Sequence, residues 1–282
     1  MNGPSYLEYA PRPALRPFVH CVWTFTAPPD EAPQPIAPDG RPELIVHTRK
    51  PYLERRASGD VVQPSVLFAG QLTQPLTLVA QDDAALIGVR FHAYAARAFL
   101  GVDADAATDK RLDLAALHGV TAVALRRHVR EHGMPHLRAE VVQDYVEARL
   151  QRARLDDDVV DAVNALVAGV KAIPPTDISE RQWQRRFKAE VGVSPRMLQT
   201  VLRFRRVFDA IERHETAGWV EAALAAGYFD QPQMARDFRR FLGCTARDWT
   251  AQRAGLTKAL TAPAQVSGAV SGSYKKGKAA PE

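Results

Sequence analysis

Amide and guanidinium side chains face outward from a segment that runs from Trp219 to Phe241. Side chains of these types pair with two atoms of a base edge in the DNA major groove. They are Gln231, Gln233, Arg236, Arg239 and Arg240. The segment therefore predicts recognition of double-stranded DNA. An ordinary helical hairpin with a solvated basic face has the same spacing, so spacing alone leaves both interpretations open.

Two short helices across a glycine turn would hold this face in place. Alanines follow Trp219 at the spacing of one apolar helix face, and Gly227 ends that helix, because glycine adopts the left-handed conformation at low cost. Either Asp230 or Gln231 caps the second helix. The buried stripe of the second helix is predicted to contain Met234, Phe238 and Phe241.

An earlier stretch repeats this arrangement. Residues 185–198 are similar to residues 239–249: each has an outward-facing basic helix with a buried Phe, then Gly, then a Ser or Thr that starts another helix. Ser179 is the candidate N-cap of the first of these helices, and a long helix from Pro195 to about His214 joins the two stretches. The repeat predicts a duplicated DNA-binding unit.

Four polar side chains lie inside predicted strands of the first 105 residues, namely Glu43, His47, Arg90 and His92. They are the candidate lining of a ligand pocket, because a small closed barrel holds one small ligand in its mouth. Together with His20, the two histidines suggest a cupin-like metal site. There is no HxH pair, and no acid stands at a fixed offset from a histidine pair, so we expect no metal and no cofactor.

The composition favours two domains with different partners. Residues 179–282 contain 18 Lys and Arg against 10 Asp and Glu, whereas residues 1–178 contain 19 against 22. A basic second half suits a polyanion. The chain has 282 residues, two distant cysteines, no run of 18 apolar residues and no N-terminal signal pattern. We therefore expect a cytoplasmic protein with no membrane segment.

The chain divides into three predicted parts, which form an α+β fold. Residues 1–155 are predicted as a small cupin-like β-barrel with flanking helices, because short apolar strands alternate with turn residues. The helix predicted over 137–155 packs on the barrel or makes a dimer contact, and packing is the favoured alternative. Residues 156–252 are predicted as an all-α domain with two helix-turn-helix units. Residues 253–282 are predicted as a disordered basic tail.

The second half resembles the DNA-binding domain of the AraC-type transcriptional regulators over about 156–252. The most specific match is the pattern A-x-x-A-G-Y-x-D-Q-x-x-x-x-R-x-F-R-R-F-x-G, which runs from Ala223 to Gly243. In the first half, the stretches PDGRPELIVH, FAGQLTQPLTL and IGVRFHAYAARAFLGV resemble the barrel-like N-terminal domain of one subgroup of these regulators. The resemblance names no ligand.

The resemblance implies that two recognition helices, 179–188 and 231–240, enter adjacent major-groove segments. The implied base contacts are Arg181, Gln182, Gln184, Arg185, Gln231, Gln233 and Arg236. The implied phosphate contacts are Ser179, Arg186, Lys188, Arg239 and Arg240. This chain departs from the family in the first unit, where residues 170–177 with two prolines stand in place of a complete positioning helix, and at Thr245-Ala246, where the family has Thr-Pro.

These patterns predict a sequence-specific transcriptional regulator that is not an enzyme and binds double-stranded promoter DNA. Its further candidate partners are a small-molecule effector, RNA polymerase and a second copy of the chain. Two alternatives remain open from the sequence. One is a cupin-like enzyme, and the other is a partner-binding module whose first DNA-binding unit has lost base recognition.

Overall fold

The computed structural model describes residues 4–212 and 218–245. Its strands are β1 (Ser5–Tyr9), β2 (Val19–Ala27), β3 (Gln34–Ile36), β4 (Glu43–His47), β5 (Leu53–Arg55), β6 (Val61–Val62), β7 (Val66–Ala69), β8 (Leu76–Val79), β9 (Ala84–Phe91) and β10 (Arg111–Asp113). Its α-helices are α1 (Ala96–Leu100), α2 (Leu114–His118), α3 (Val120–Glu131), α4 (Pro135–Leu150), α5 (Asp157–Val167), α6 (Glu180–Val191), α7 (Pro195–Glu212), α8 (Trp219–Ala225) and α9 (Gln231–Leu242).

The N-terminal part consists of two antiparallel sheets that face each other. One has the strand order β1-β2-β9-β4-β7-β10, and the other has the order β3-β8-β5-β6. Side chains of both sheets meet between them, including Trp23, Phe25 and Leu78. Gly88 pairs with Trp23 across β9 and β2, and a Cβ on Gly88 would lie 2.3 Å from the indole ring. The indole therefore needs a glycine at this position.

The outer face of the larger sheet is covered by helices. On that face, apolar residues of β4, β7 and β9 pack against α1 to α4. Phe68, Phe91 and Phe99 are fully buried in this contact. The helix α4 lies on this sheet, as the favoured sequence interpretation predicted, and not apart from it. Among its residues, Val142, Val146 and Leu150 are buried against the sheet, whereas Val141 and Tyr145 are half-buried.

The same hydrophobic core continues into the first of the two predicted DNA-binding units. Trp183 and Phe187 of α6 belong to one cluster with Phe91 and Phe99 of the N-terminal part. A second cluster holds α7, α8 and α9 together. The predicted domain boundary between 155 and 156 stays a prediction, and the core crosses it.

Helix ends follow from the local sequence. Asp156 caps α5 through a bond from the Val159 amide, and Gly192 and Gly243 end α6 and α9 in the left-handed conformation. The predicted final helix extends beyond residue 245, so it lies outside the described residues except at its start, and so does the predicted tail over 253–282. In the described ranges, none of the helices has the length and apolarity needed to cross a membrane.

Candidate nucleic-acid interface

The second unit has the geometry of a helix-turn-helix. The helix α8 ends in a turn in which Gly227 has a φ of 89° and the Tyr228 amide donates to the Ala223 carbonyl at 3.0 Å. Asp230 is the N-cap of α9, because its carboxylate accepts from the Gln233 amide at 2.6 Å. The structure thus decides between the two capping residues that the sequence left open.

Aromatic packing fixes the inner face of α9. Phe238 lies 5.1 Å from Phe204 of α7 and 5.5 Å from Trp219 of α8, measured between ring centroids. Phe241 lies 5.1 Å from Phe204. The predicted core residues Phe238 and Phe241 are fully buried, and Met234 is half-buried against the same cluster. The orientation of α9 is therefore determined by its contacts with α7 and α8.

A polar clamp, consisting of Arg203, Tyr228 and Asp237, adds to this contact. The Asp237 carboxylate accepts from the Arg203 guanidinium at 2.9 Å and from the Tyr228 hydroxyl at 3.0 Å. The guanidinium also lies 4.5 Å above the Tyr228 ring. The sequence reasoning assigned no role to Arg203 or Asp237. Asp237, an acidic residue within the basic run of α9, is the sequence feature that indicates this contact.

The opposite face of α9 is exposed and basic. Gln231, Arg236, Arg239 and Arg240 are all exposed to solvent. Gln233 is half-buried, and its side-chain oxygen accepts from the Phe229 amide at 3.3 Å. Gln233 thus takes part in capping its own helix, which competes with bidentate pairing to a base. Of the predicted second-unit contacts, Gln231 and Arg236 are the exposed ones for bases.

The first unit lacks one helix. Between α5 and α6, residues 168–179 are turns and irregular backbone, so the positioning helix that the sequence suggested to be shortened is absent from this stretch. The N-terminal part supports α6 instead. The Thr108 hydroxyl donates to the Gly192 carbonyl at 2.6 Å, and Arg97 binds the buried carboxylate of Glu190 at 2.6 Å.

The exposed side of α6 carries the four predicted base contacts of the first unit. The side chains of two of them, Gln182 and Gln184, form hydrogen bonds at the start of the same helix. Ser179 and Gln182 form a capping box, in which the Gln182 side chain accepts from the Ser179 amide at 2.9 Å. The Gln184 amide donates to the Glu180 carboxylate at 2.8 Å. Arg181 and Arg185 are exposed, one helical turn apart.

Two predicted phosphate contacts, Arg186 and Lys188, form ion pairs with carboxylates of the protein itself. Arg186 is half-buried and binds Asp156 at 2.5 Å and Asp158 at 2.8 Å. The hydrogen bond with Asp156 raises the pKa of this guanidinium. Lys188 lies 3.3 Å from Asp105 of the N-terminal part. In this arrangement both cations stabilise internal contacts, a result that depends on tertiary neighbours and not on helical spacing.

The four predicted pocket residues do not come together. Glu43 and Arg90 line a cavity of about 100 Å³ between the two sheets. His47 points into the same layer but is fully buried beside Tyr52, and burial lowers its pKa to about 4. His92 lies outside the layer, 3.3 Å from the Arg16 carbonyl and stacked on Tyr94. His47 and His92 are not among the residues that line this cavity, and their assignment to a ligand pocket stays a prediction.

The cavity has charged groups within an apolar wall. Arg90 binds Glu43 at 2.7 Å and Glu8 at 3.4 Å. Burial opposes the charge of Arg90, but several neighbouring groups together, of which the Glu43 carboxylate is the strongest, raise the pKa of Arg90 well above its ordinary value. Leu76, Leu78 and Leu86 provide apolar walls. Within the described ranges, no group of three or more His, Cys, Asp or Glu side chains is arranged to hold a metal ion.

Arg41 and Arg205 complete the cavity wall. Arg205 comes from α7, where it binds Asp209 at 2.9 Å. Arg41 is half-buried, and burial lowers the pKa of its guanidinium. No carboxylate of the described chain lies within ion-pair distance of the Arg41 guanidinium. The sequence reasoning did not identify either arginine, because their approach to the cavity depends on how α7 packs.

Comparison with known proteins identifies two families in the chain. Residues 7–113 match a domain of unknown function (DUF6597), and residues 176–252 match a helix-turn-helix domain. The comparison with curated proteins gives no match.

Among solved structures, ToxT from Vibrio cholerae O395 is similar with a TM-score of 0.39 at 10% identity, covering 82% of this chain and 96% of that chain. ToxT from strain SCE256 with a bound unsaturated fatty acid has a TM-score of 0.39 at 10% identity, covering 90% of this chain and 95% of that chain. The helix-turn-helix match over residues 176–252 is of the AraC type, so the predicted resemblance of this part of the chain is confirmed. The chain is a DNA-binding regulator that carries an AraC-type helix-turn-helix domain behind a DUF6597 domain.

Proposed function

We propose that this regulator binds promoter DNA mainly through α9 and that a compact organic anion in the N-terminal cavity controls it. The proposal that α9 binds DNA rests on the division of this helix into two faces. Its aromatic face is fixed against α7, and its opposite face exposes Gln231, Arg236 and two further arginines. A rigid helix with a polar outer face is what a major groove accepts.

The exposed residues divide by position. Gln231 and Arg236 contact bases, and Gln233 joins them when its amide leaves the cap. Arg239 and Arg240 lie further along the helix, where guanidinium groups bind phosphates and orient the helix. A bidentate arginine–guanine pair contributes about 1–3 kcal/mol of discrimination.

The first unit has a smaller part in base recognition. Arg181 and Arg185 form the exposed cationic pair of α6, with Gln182, Gln184 and Ser179 at the start of the helix. The absence of a positioning helix is compensated by contacts of α6 with the N-terminal part, such as the bond from Thr108 to Gly192. These contacts support a unit that fixes the register of α9 on the DNA.

The half-buried cation Arg41 supports an anionic effector. A guanidinium that loses water without gaining a carboxylate is costly, and an anion in the cavity would remove that cost. The cavity of about 100 Å³ restricts the ligand to a compact molecule with an apolar body beside the leucines. Carboxylates meet these requirements, since they accept both arms of one guanidinium.

The loop between β3 and β4 connects the cavity to the DNA-binding half. Ala37, Asp39 and Arg41 line the cavity from this loop. On its other side, Gly40 packs on Leu198 and Leu202 of α7, so closely that a Cβ on Gly40 would lie 3.2 Å from each side chain. A ligand that moves this loop would therefore move α7, which joins the two units.

Selection of bound duplexes from a random pool tests the DNA assignment. We expect a defined motif for the parent chain. Arg236→Ala should relax the preference at one position, whereas Arg239→Ala should weaken binding to selected and random duplexes equally, with a salt slope smaller by about 0.9. Equal effects of both changes on selected and random DNA would refute the assignment.

Benzoate and butyrate test the effector. We expect these probes to raise the unfolding midpoint of the parent chain and to leave that of Arg41→Gln unchanged. Arg152→Gln, which changes an exposed arginine remote from the cavity lining, is the matched control. A response that persists in Arg41→Gln would place the carboxylate elsewhere. Neither the enzyme alternative nor the partner-binding alternative is favoured by a specific observation.

A further inference from the structure

A second concentration of arginines lies on the N-terminal part, away from the cavity. Arg49, Arg130 and Arg138 line an open groove of about 830 Å³ together with the hydroxyl-bearing residues Ser5, Thr26 and Thr48. The Thr48 hydroxyl already donates to the Ala85 carbonyl at 3.0 Å, so its oxygen is fixed at the groove wall. Arg126 lies beside Arg130 and borders the adjoining depression. We call these four arginines and three hydroxyls the arginine groove.

The arginine groove has an excess of positive charge. Arg49 is paired with Asp83, a carboxylate that also lines the groove, at 3.3 Å. For the other three arginines, the described part of the chain provides no carboxylate within ion-pair distance. Burial and the charge of Arg130 lower the pKa of Arg126, and burial and the charge of Arg49 lower the pKa of Arg138. These cations therefore repel one another in the unliganded chain.

Two of the guanidinium groups are held in place before any ligand binds. The Nε atom of Arg126 donates to the His47 carbonyl at 2.9 Å, and its Nη2 atom donates to the Arg49 carbonyl at 3.3 Å. The Nε atom of Arg138 donates to the His132 carbonyl at 2.7 Å. Fixing the Nε side of a guanidinium orients the remaining donors and reduces the entropy lost on binding.

We propose that the arginine groove binds a small molecule that carries a phosphate or diphosphate group. A phosphoryl group has three terminal oxygens, so it accepts from several guanidinium and hydroxyl groups at once, whereas a single carboxylate is satisfied by one fork. A ledge of small apolar residues provides a surface for the rest of the molecule. This ledge consists of Ala27, Pro28, Pro29, Ala84 and Ala85.

The arginine groove lies at the opposite end of the sheet from the DNA-binding units. Ala84 and Ala85, at the start of β9, line the groove. Phe91 ends the same strand, and the turn that follows it packs against α6. Eight residues of strand span roughly 25 Å. The proposed ligand is therefore separate from the DNA that α6 and α9 contact, and it is a second input to the regulator.

Calorimetric titration of the full chain with inorganic pyrophosphate tests the proposal. We expect binding by the parent chain, and a weakening by about tenfold in Arg130→Gln, since one charge-assisted contact is lost. Arg130 makes no hydrogen bond in the described structure, so this change leaves the fold intact. In the double variant with Arg138→Gln the weakening should reach about a hundredfold. Arg152→Gln, at an exposed position outside the groove, should bind as the parent does.

Two further measurements separate this site from the alternatives. Citrate has similar charge without phosphorus, and we expect it to bind at least tenfold more weakly than pyrophosphate. Binding of a selected DNA duplex should be unchanged in Arg130→Gln, and Arg236→Ala should leave pyrophosphate binding unchanged.

The proposal is overturned if the parent chain does not bind pyrophosphate at millimolar concentration, or if citrate binds equally well. It is also overturned if Arg130→Gln binds pyrophosphate as the parent does, or if Arg236→Ala removes that binding. In the last case the phosphate site is the DNA-binding face.

Discussion

The contact between the β3–β4 loop and α7 makes Gly40→Ala an informative substitution. Gly40 has a φ of 80°, and its carbonyl accepts from the buried amide of Gln71 at 3.0 Å. An L-residue in the left-handed conformation costs about 1–2 kcal/mol. The new methyl group would lie 3.2 Å from side-chain carbons of Leu198 and Leu202, which is closer than the optimal 3.5–4.0 Å. Overpacking of this kind adds about 1–3 kcal/mol.

We therefore expect Gly40→Ala to lower the free energy of unfolding by about 2–5 kcal/mol and the unfolding midpoint by roughly 5–15 °C. Gly101→Ala is the matched control. Gly101 has a φ of 77°, and a methyl group there would meet no atom within 4 Å outside its immediate chain neighbours, so only the conformational cost applies. The difference between the two variants measures the contact with α7.

DNA binding supplies the second readout of the same pair. If the β3–β4 loop supports α7 as described, Gly40→Ala should also change the affinity for a selected duplex, and Gly101→Ala should not. Equal destabilisation in both variants, or an unchanged midpoint in Gly40→Ala, would refute the reasoning about this contact.

Three other predictions concern the clamp, the shared core and acid stability. Asp237→Asn removes the negative charge that accepts hydrogen bonds from Arg203 and Tyr228, and it should lower the free energy of unfolding by about 1–2 kcal/mol. It should also weaken binding to selected and random duplexes alike. A change in base preference alone would contradict this. Trp183→Ala should lower the free energy of unfolding by about 3–5 kcal/mol. Because one hydrophobic core joins β9 and α6, it should also reduce the protection of backbone amides from hydrogen exchange in both elements. Unchanged protection in β9 would show that the two regions unfold separately. Burial lowers the pKa of His47 to about 4 in the folded chain. As pH falls, the unfolded chain therefore takes up this proton first. The folded state should lose up to about 3 kcal/mol of stability between about pH 6.5 and 4. His47→Gln should therefore show a shallower decline in denaturation midpoint over that window, and an identical decline would rule out His47 as the cause.

The sequence predicts the longer helices and the more apolar strands well. Strands β2, β4, β7, β8 and β9 and the helices from α5 to α9 lie where apolar runs, alternation or helical spacing predict them. The strands β1, β3, β5, β6 and β10 were not predicted. They have two to five residues, and apart from the two-residue β6 they include polar, charged or proline residues that interrupt an apolar run, unlike the short but mostly apolar β7 and β8. Their pairing in the sheets is determined by neighbours that are distant in sequence.

The candidate site shows where sequence reasoning stops. Spacing correctly placed Trp183 and Phe187 inside α6, because a helix face is a local property. It did not place Arg186 beside Asp156, since the α5–α6 packing decides that ion pair. His47 was placed inside a predicted strand, and the structure has it at the end of β4, but its burial depends on packing against residues such as Tyr52.

One pattern was available and was overlooked. Ser179 and Gln182, like Asp230 and Gln233, stand three residues apart at a helix start. At Ser179 and Gln182 this spacing forms a capping box. At Asp230 the N-cap bond is the same, and the Gln233 side chain accepts from the Phe229 amide, one residue before the cap. The two helix-turn-helix units thus repeat a capping arrangement as well as a basic face.

The single helix α7 sets the distance between the two units. Its 18 residues span roughly 27 Å, somewhat less than one 34 Å turn of DNA. Inserting one residue in its middle would rotate α8 and α9 by about 100° around the helix axis and direct their basic face away from the duplex. Seven inserted residues would restore the angle to within about 20° and add about 10 Å, close to three base pairs. The spacing of the DNA motif is therefore encoded as a helix length, and because three base pairs turn the groove by about 100°, seven inserted residues alone would not fit the chain to a longer operator.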